Sequence, residues 1–329
     1  MTEDNENQSG DAAQQCGRSW TVSIAVPSSI VDNAQSPELR SYLVGQIARC
    51  LVIYNIDEIV VYDEHCIPGT PEQVLLDKRK QTMVQMARIL EYLECPQYLR
   101  RFLFPIQKHL QYAGLLNPLE STHHLKQQDE SLYREGVVLN KPHKNGSFVN
   151  IGLRYDAHVD RSLQPNVRVT VKLTKTDNPK KIQGVVVSPS EPREKMGLYW
   201  GYSIRMANSL GEVLNSCPFE GGYDLKIGTS DRGDIVDKVV KSMPRNYSHL
   251  LVVFGGLRGI EAAHESDESL SFVEDTKDLF DHYINTCPNQ GSDTIRTEFD
   301  VLHALSQYVL LKLSVSISPS EQQLSSTHA

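Results

Sequence analysis

HLLVVFGGLRG, His249 to Gly259, is the stretch on which the fold turns. His249 to Phe254 is a short apolar run rich in Leu and Val, of the kind buried on both faces of a parallel sheet, and Gly255-Gly256-Leu257-Arg258-Gly259 then breaks it. Two other segments follow the same plan. Asp224 to Gly228 enters Thr229-Ser230-Asp231-Arg232-Gly233, and Tyr283 to Thr286 enters Cys287-Pro288-Asn289-Gln290-Gly291-Ser292. Three strands therefore end in three glycine-bearing loops. Ligands of open α/β sheets bind at the carboxyl ends of strands, so these loops form the candidate site. Glycine lets the backbone approach a ligand closely, and a backbone N–H or C=O can read an adenine edge without any side chain.

Toward the N-terminus, Trp20 to Val26 alternates with β-branched residues and runs into Pro27, which predicts a strand. Ser36 as cap and Pro37 at the first position predict a helix, with Leu39, Leu43, Ile47 and Leu51 as its apolar stripe. EIVVY, Glu58 to Tyr62, is the next strand, and strand-helix-strand argues for a parallel α/β unit. Pro68 to Pro71 reads as a turn. A second helix carries Met83, Met86, Leu90 and Leu93 before Pro96 stops it, and Thr294 to Leu311 closes the chain as a helix with Ile295, Phe299, Leu302 and Leu305 on one side.

Between these halves the texture changes. Gly136–Leu139, Phe148–Leu153, Val167–Leu173, Ile182–Val187 and Leu198–Ile204 are five short β-type runs split by Gly, Pro and Asn turns, which suggests a small barrel. Arg134 to Arg205 holds thirteen basic and six acidic residues, a local charge of +7 in a chain of net charge −8. A local field steers a polyanion whatever the net charge, so Arg154, Arg168, Lys172, Arg193, Lys195 and Arg205 are candidate polyanion contacts; the bland reading is that a β module exposes charge to stay soluble. Lys78, Arg79 and Lys80, followed by Arg100, Arg101, Lys108 and His109 among Phe102, Phe104 and Tyr112, form a second basic region, read first as a solvated face.

With 329 residues, 40% hydrophobic and 22% charged, the chain has ample material for a buried core, which excludes a disordered or collagen-like class. Its longest apolar runs fall far short of the roughly 20 residues that span a bilayer, so no membrane role is expected. The acidic start, MTEDNENQSGDAAQQCG, lacks the features of a targeting signal and reads as a disordered tail. Six scattered cysteines without a CxxC pair indicate neither zinc nor a disulfide framework. His123, His124 and His264 lack ligand spacing and read as surface residues, so no metal is expected. Cys287 reads as a packing residue rather than a nucleophile.

Gly255-Gly256-x-x-Gly259 has the wrong spacing for a dinucleotide fingerprint, and Glu261 to Asp278 reads as an acidic loop instead of the required helix. No GxxxxGK[ST] phosphate loop occurs.

GTSDRG (228–233), VVFGGLRGIEA (252–262) and NTCPNQGSDTIRTEFDVLHAL (285–305) resemble the C-terminal half of the SPOUT superfamily of trefoil-knotted methyltransferases. The similarity is greatest to the archaeal and eukaryotic branch of RNA methyltransferases in which an OB-like barrel interrupts the SPOUT domain. It implies an α/β fold with a knotted parallel sheet, divided into a disordered tail (1–18), an N-terminal SPOUT part (19–130), an OB-like RNA-binding insertion (131–220), a C-terminal knotted part (221–315) and a second disordered tail (316–329). It also implies S-adenosylmethionine as cofactor and a homodimer with both knots near the interface. By motif, the adenosine pocket falls on Gly255, Gly256, Arg258, Gly259, Glu261, Pro288, Asn289, Gln290 and Gly291, closed by Ile295 and Thr297. The chain departs from the superfamily in carrying GGLRGIE where many members have a GPEGG-like loop, and an acidic N-terminal extension in place of a basic one.

Methyl transfer from a sulfonium is an in-line displacement that demands orientation and loss of a proton. Arg232 and Arg258 are the candidate catalytic cations and Asp231 the candidate proton acceptor, with Glu261 a second possibility; the competing reading of each is a structural ion pair or helix cap. The implied substrate is structured RNA, ribosomal RNA first, with uridine N3 favoured over other base nitrogens or ribose because its acidic N–H suits a modest base. OB-like barrels bind looped RNA by charge and stacking, for which Phe148, Tyr155, Tyr199, Trp200 and Tyr202 are available. The scattered cysteines suit reduced thiols in cytosol or nucleus, and the resemblance implies centrosome, kinetochore and spindle as further sites. The alternative functions are a mitotic scaffold that retains the fold, or RNA binding without chemistry.

Overall fold

A computed structural model describes residues 17–66, 77–141, 145–174, 180–239, 243–244, 246–292 and 295–316. The expected turn at Pro68–Pro71, both tails apart from their inner ends, and the start of the last helix at Thr294 lie outside the described residues. The chain opens with β1 (Thr21–Pro27), α1 (Pro37–Ile53) and β2 (Glu58–Tyr62), as the sequence predicts. Ser36 caps α1 by accepting a hydrogen bond from the Leu39 N–H at 3.3 Å. Then come α2 (Lys78–Glu94) and α3 (Gln97–Leu103), followed by five strands: β3 (Tyr133–Val138), β4 (Ser147–Asn150), β5 (Ala157–Val159), β6 (Arg168–Thr174) and β7 (Ile182–Val187). The chain continues through α4 (Glu191–Met196), β8 (Ser203–Ala207), α5 (Leu210–Asn215), β9 (Leu225–Ile235) and α6 (Val236–Val239). It ends with β10 (His249–Val253), α7 (Gly259–Ser266), β11 (His282–Asn285) and α8 (Thr297–Ser316).

Six strands form one parallel sheet in the order β11-β9-β10-β1-β2-β8. The central β1 is buried along its whole length, the mark of a strand covered on both faces. Val22, Ile24 and Val26 pack on one face with Leu43, Ile47, Leu51, Met86 and Leu90 from α1 and α2, and with Val301 and Leu305 from α8. Ala25, Val60, Leu251 and Val253 pack on the other with α5 and α7. The stripe of α8 departs from expectation: Val301, Ala304 and Leu305 face the core, whereas Phe299 and Leu302 are exposed. Leu39 of α1 is likewise exposed.

β3, β4, β5, β7 and β6 close into a barrel filled by Val138, Val149, Ile151, Ala157, Val159 and Val171. Two expectations need correction here. The fifth barrel strand is the three-residue β5, which pairs parallel with β7. Ser203–Ala207, inside the segment expected to be barrel, pairs instead with β2 and extends the parallel sheet. The barrel therefore ends at Val187, short of the expected insertion boundary at 220. A second correction concerns Glu261–Asp278, which begins as helix α7 and not as a loop.

Candidate functional site

All six parallel strands deliver their following loops to one end of the sheet. There Thr229–Gly233 is not a loop between elements but a bulge within β9: Gly228 pairs with Tyr283, and the next register pair is Asp234 with Ile284, so five residues are looped out opposite none. The Gly255–Gly259 turn closes on itself through a Gly259 N–H to Gly256 C=O hydrogen bond of 3.0 Å, with Gly259 at φ +80°. That φ favours glycine. A Cβ on Gly255 would lie 2.5 Å from the backbone of Gly259 and Ile260, and one on Gly256 would meet the Glu64 carboxylate at 2.2 Å.

The bulge, this turn and the head of α8 enclose a cleft of about 280 Å³. Of the residues singled out in sequence, Asp231, Arg232, Gly255, Gly256, Arg258, Gly259, Glu261, Gln290, Ile295 and Thr297 line it together. Pro288, Asn289 and Gly291 belong to the same loop but do not line the cleft, and a Cβ on Gly291 would meet nothing within 4 Å. Thr297 Oγ1 donates to the Gly255 carbonyl at 3.0 Å, which ties the end of the chain to the β10 turn. Ser230 Oγ donates to Glu261 Oε1 at 2.9 Å, and Arg232 Nε stands 4.0 Å from the same oxygen. Arg232 and Arg258 are exposed at the rim, as is Asp231, whose backbone carbonyl accepts from Asn285 Nδ2 at 2.8 Å.

Thr229, Ser230 and Leu257, which belong to the expected loops but were not singled out there, also line the cleft, and so does Asp300, which sequence reasoning missed. Asp300 accepts from Thr286 Oγ1 at 2.6 Å and Thr229 Oγ1 at 3.3 Å, so one carboxylate joins the β9 bulge and the residue after β11 to α8. Burial pushes its carboxyl above the ordinary value, against the pull of those two hydroxyls. The available signal was its spacing, one helical turn beyond Thr297 and on the same face.

The cations expected to meet RNA are placed differently. Arg168 is spent internally: it donates to Glu94 at 2.5 and 3.0 Å and to Glu135 at 2.6 Å. Trp200 Nε1 and Thr170 Oγ1 complete the shell of Glu135 at 2.7 and 2.6 Å. Burial alone would raise the Glu94 carboxyl, but the Arg168 charge and the His123 hydrogen bond outweigh it and hold it far below the usual range. Arg205 pairs with the buried Glu58 at 3.0 Å, and Arg193 lies 3.7 Å from Asp57. None of these three arginines is free for RNA. Lys172 and Lys195 share Glu191, and Arg154 is exposed beside the Tyr155 ring.

Tyr199, Trp200 and Tyr202 are buried and so cannot stack on a base, and His123 is fully buried instead of at the surface. His124 is largely enclosed, with Nε2 2.7 Å from the Glu94 carbonyl, and His264 is held 2.8 Å from Thr276 Oγ1. Among the described residues no His, Cys, Asp or Glu cluster suits a metal ion.

Residues 21–308 match the family described as "Putative RNA methyltransferase". The chain is 50% identical over 310 residues to a human 28S rRNA (uridine-N(3))-methyltransferase, covering 92% of this chain and 81% of that one. The mouse protein of the same name is 51% identical over 299 residues (88% and 76%), and the Drosophila melanogaster one is 46% identical over 318 (92% and 65%). With the parallel sheet, the inserted barrel and the strand-end cleft in place, the chain belongs to this RNA methyltransferase family, of SPOUT type with an OB-like insertion.

Proposed function

We propose that the protein methylates N3 of a uridine in large-subunit ribosomal RNA, with S-adenosylmethionine as donor. One observation carries the reading: the glycine-lined cleft at the strand ends is built from the three segments that resemble the SPOUT methyltransferases. The cleft fits such a donor. Gly255 presents bare backbone where a Cβ has no room, Leu257 and Ile295 supply apolar surface, and carboxylates and guanidinium groups stand together at the rim for a zwitterionic tail. When bound, the donor supplies an electrophilic methyl on a sulfonium.

The rest falls to the chain's own groups. Thr297 and Asp300 fix the three loops against one another, so the cleft is organised before substrate arrives. Arg232 and Arg258, exposed at the rim, would stabilise negative charge that develops on the uracil oxygens as N3 loses its proton, since a guanidinium does so without changing its own state. Asp231 at the rim accepts the proton; Glu261, engaged by Ser230, orients the donor end of the cleft.

A homodimer completes the reading. Leu257 at the cleft and Phe299 and Leu302 on α8 are 72%, 61% and 40% exposed, apolar surface that a second copy would cover. The protein would meet its substrate in nucleus and cytoplasm, where this RNA is made and used. A scaffold role at centrosome or kinetochore would leave the glycine lining without a purpose.

Calorimetry with S-adenosylmethionine tests the donor, and nucleoside mass spectrometry of treated ribosomal RNA tests the product. Binding in the micromolar range and new 3-methyluridine are expected. A folded protein that takes up no donor overturns the reading.

A further inference from the structure

We infer that a second cleft, on the helix layer beside the cofactor loops, grips the phosphate backbone of RNA flanking the target nucleotide. The inference rests on the RNA methyltransferase reading and adds a contact site to it. The cleft, about 270 Å³, lies between the first turns of α1 and α2 and the segment 108–112. Arg40, Lys108 and His109 line it with Gln81, Gln85 and Tyr112.

Topology puts it at the working end. α1 follows β1 and α2 follows β2, so their N-terminal turns rise from the strand ends that also carry the glycine loops. A short wall separates the two clefts. Gly256 backs onto Glu64, Glu64 shares a small recess with Arg79 and Thr82, and Thr82 also lines the basic cleft.

The cations here are largely unspent, unlike those at the base of the barrel. Arg40 Nε is buried with no hydrogen-bond partner, and its ion pair with Asp32 is long, 3.8 Å, between two well-exposed side chains. Lys108 is exposed and forms no salt bridge among the described residues. A second acid besides Asp32 stands close: Glu38, which accepts a hydrogen bond from the Tyr112 hydroxyl. An arginine fork, a lysine and an imidazole, with amide groups and an aromatic ring alongside, suit the phosphodiesters and bases of single-stranded or looped RNA.

The full-length Arg40→Ala/Lys108→Ala double variant tests this against a large-subunit RNA fragment over a range of salt. Expected are an RNA affinity roughly tenfold weaker and a log–log salt slope smaller by about 0.7 per lost contact, with donor affinity and thermal midpoint unchanged. The charge-preserving pair Arg40→Lys/Lys108→Arg should restore most of the affinity. Unchanged affinity and slope overturn the inference, as does a change confined to sedimentation, which would mark the cleft as a contact between copies. Wild-type protein that binds RNA but transfers no methyl overturns the catalytic reading instead, and the salt series still decides the cleft.

Discussion

The glycine cleft and the joint between barrel and sheet are both built of polar residues, yet they use them in opposite ways. In the cleft, backbone does the lining and the two arginines stay at the rim, 4.0 Å or more from a carboxylate in the case of Arg232. At the joint, Arg168, Glu94, Glu135, Thr170, Trp200 and His123 satisfy one another, even where some of them line a cavity of about 370 Å³. A cation in a sequence is thus a ligand contact only where no buried acid claims it first.

The sharpest way to expose the difference is to break the joint. Glu94→Ala leaves the Arg168 guanidinium facing a hole, and removing one partner of a buried ion pair costs about 3–5 kcal/mol. Urea denaturation should show that loss, whereas Arg258→Ala in the same assay should fall within about 0.5 kcal/mol of wild type.

Acid probes the joint without mutation. Burial and the neighbouring His123 push His124 down to about 4, so between the ordinary imidazole value and that one the unfolded chain binds the extra proton. Its contribution to stability is therefore complete above about pH 6.5 and fades toward pH 4, a loss on the order of 3 kcal/mol. Glu94, depressed in the fold, loses its contribution at still lower pH, as it protonates. A urea midpoint that rose on acidification across this window would contradict the assignment.

The cleft responds to bulk rather than to charge. Gly255→Val forces a Cβ into backbone at 2.5 Å and should weaken donor binding about tenfold to a hundredfold in calorimetry, the equivalent of 1–3 kcal/mol of overpacking. Gly291→Leu enters open space and should leave the fold intact. Smaller still, Thr297→Ala removes one hydrogen bond to Gly255, worth about 0.5–1.5 kcal/mol, and should lower donor affinity in proportion.

Local signals were legible where sequence neighbours decide the outcome. Ser36 and Pro37 announced α1, EIVVY gave β2 to the residue, and three glycine loops marked the end of the sheet that holds the cleft. What stayed hidden depends on distant partners. Arg168 meets acids 74 and 33 residues away, so its charge looked available. Ser203–Ala207 pairs with β2 across the whole barrel, and nothing in a five-residue β pattern names its sheet. Ala157–Val159 is too short to show alternation. Tyr199, Trp200 and Tyr202 carry hydroxyls and an indole N–H that suit a surface as well as a core, and only their buried acceptors, Ile56, Glu135 and Leu90, decide.

The central claim is that the strand-end cleft of this chain transfers a methyl group to uridine N3. Large-subunit RNA incubated with the purified protein and trideuteromethyl-labelled S-adenosylmethionine, then digested to nucleosides, tests it by mass spectrometry. Labelled 3-methyluridine from wild type and none from Gly255→Val is the predicted result; label on another nucleoside, or none from folded wild-type protein that binds the donor, would contradict it.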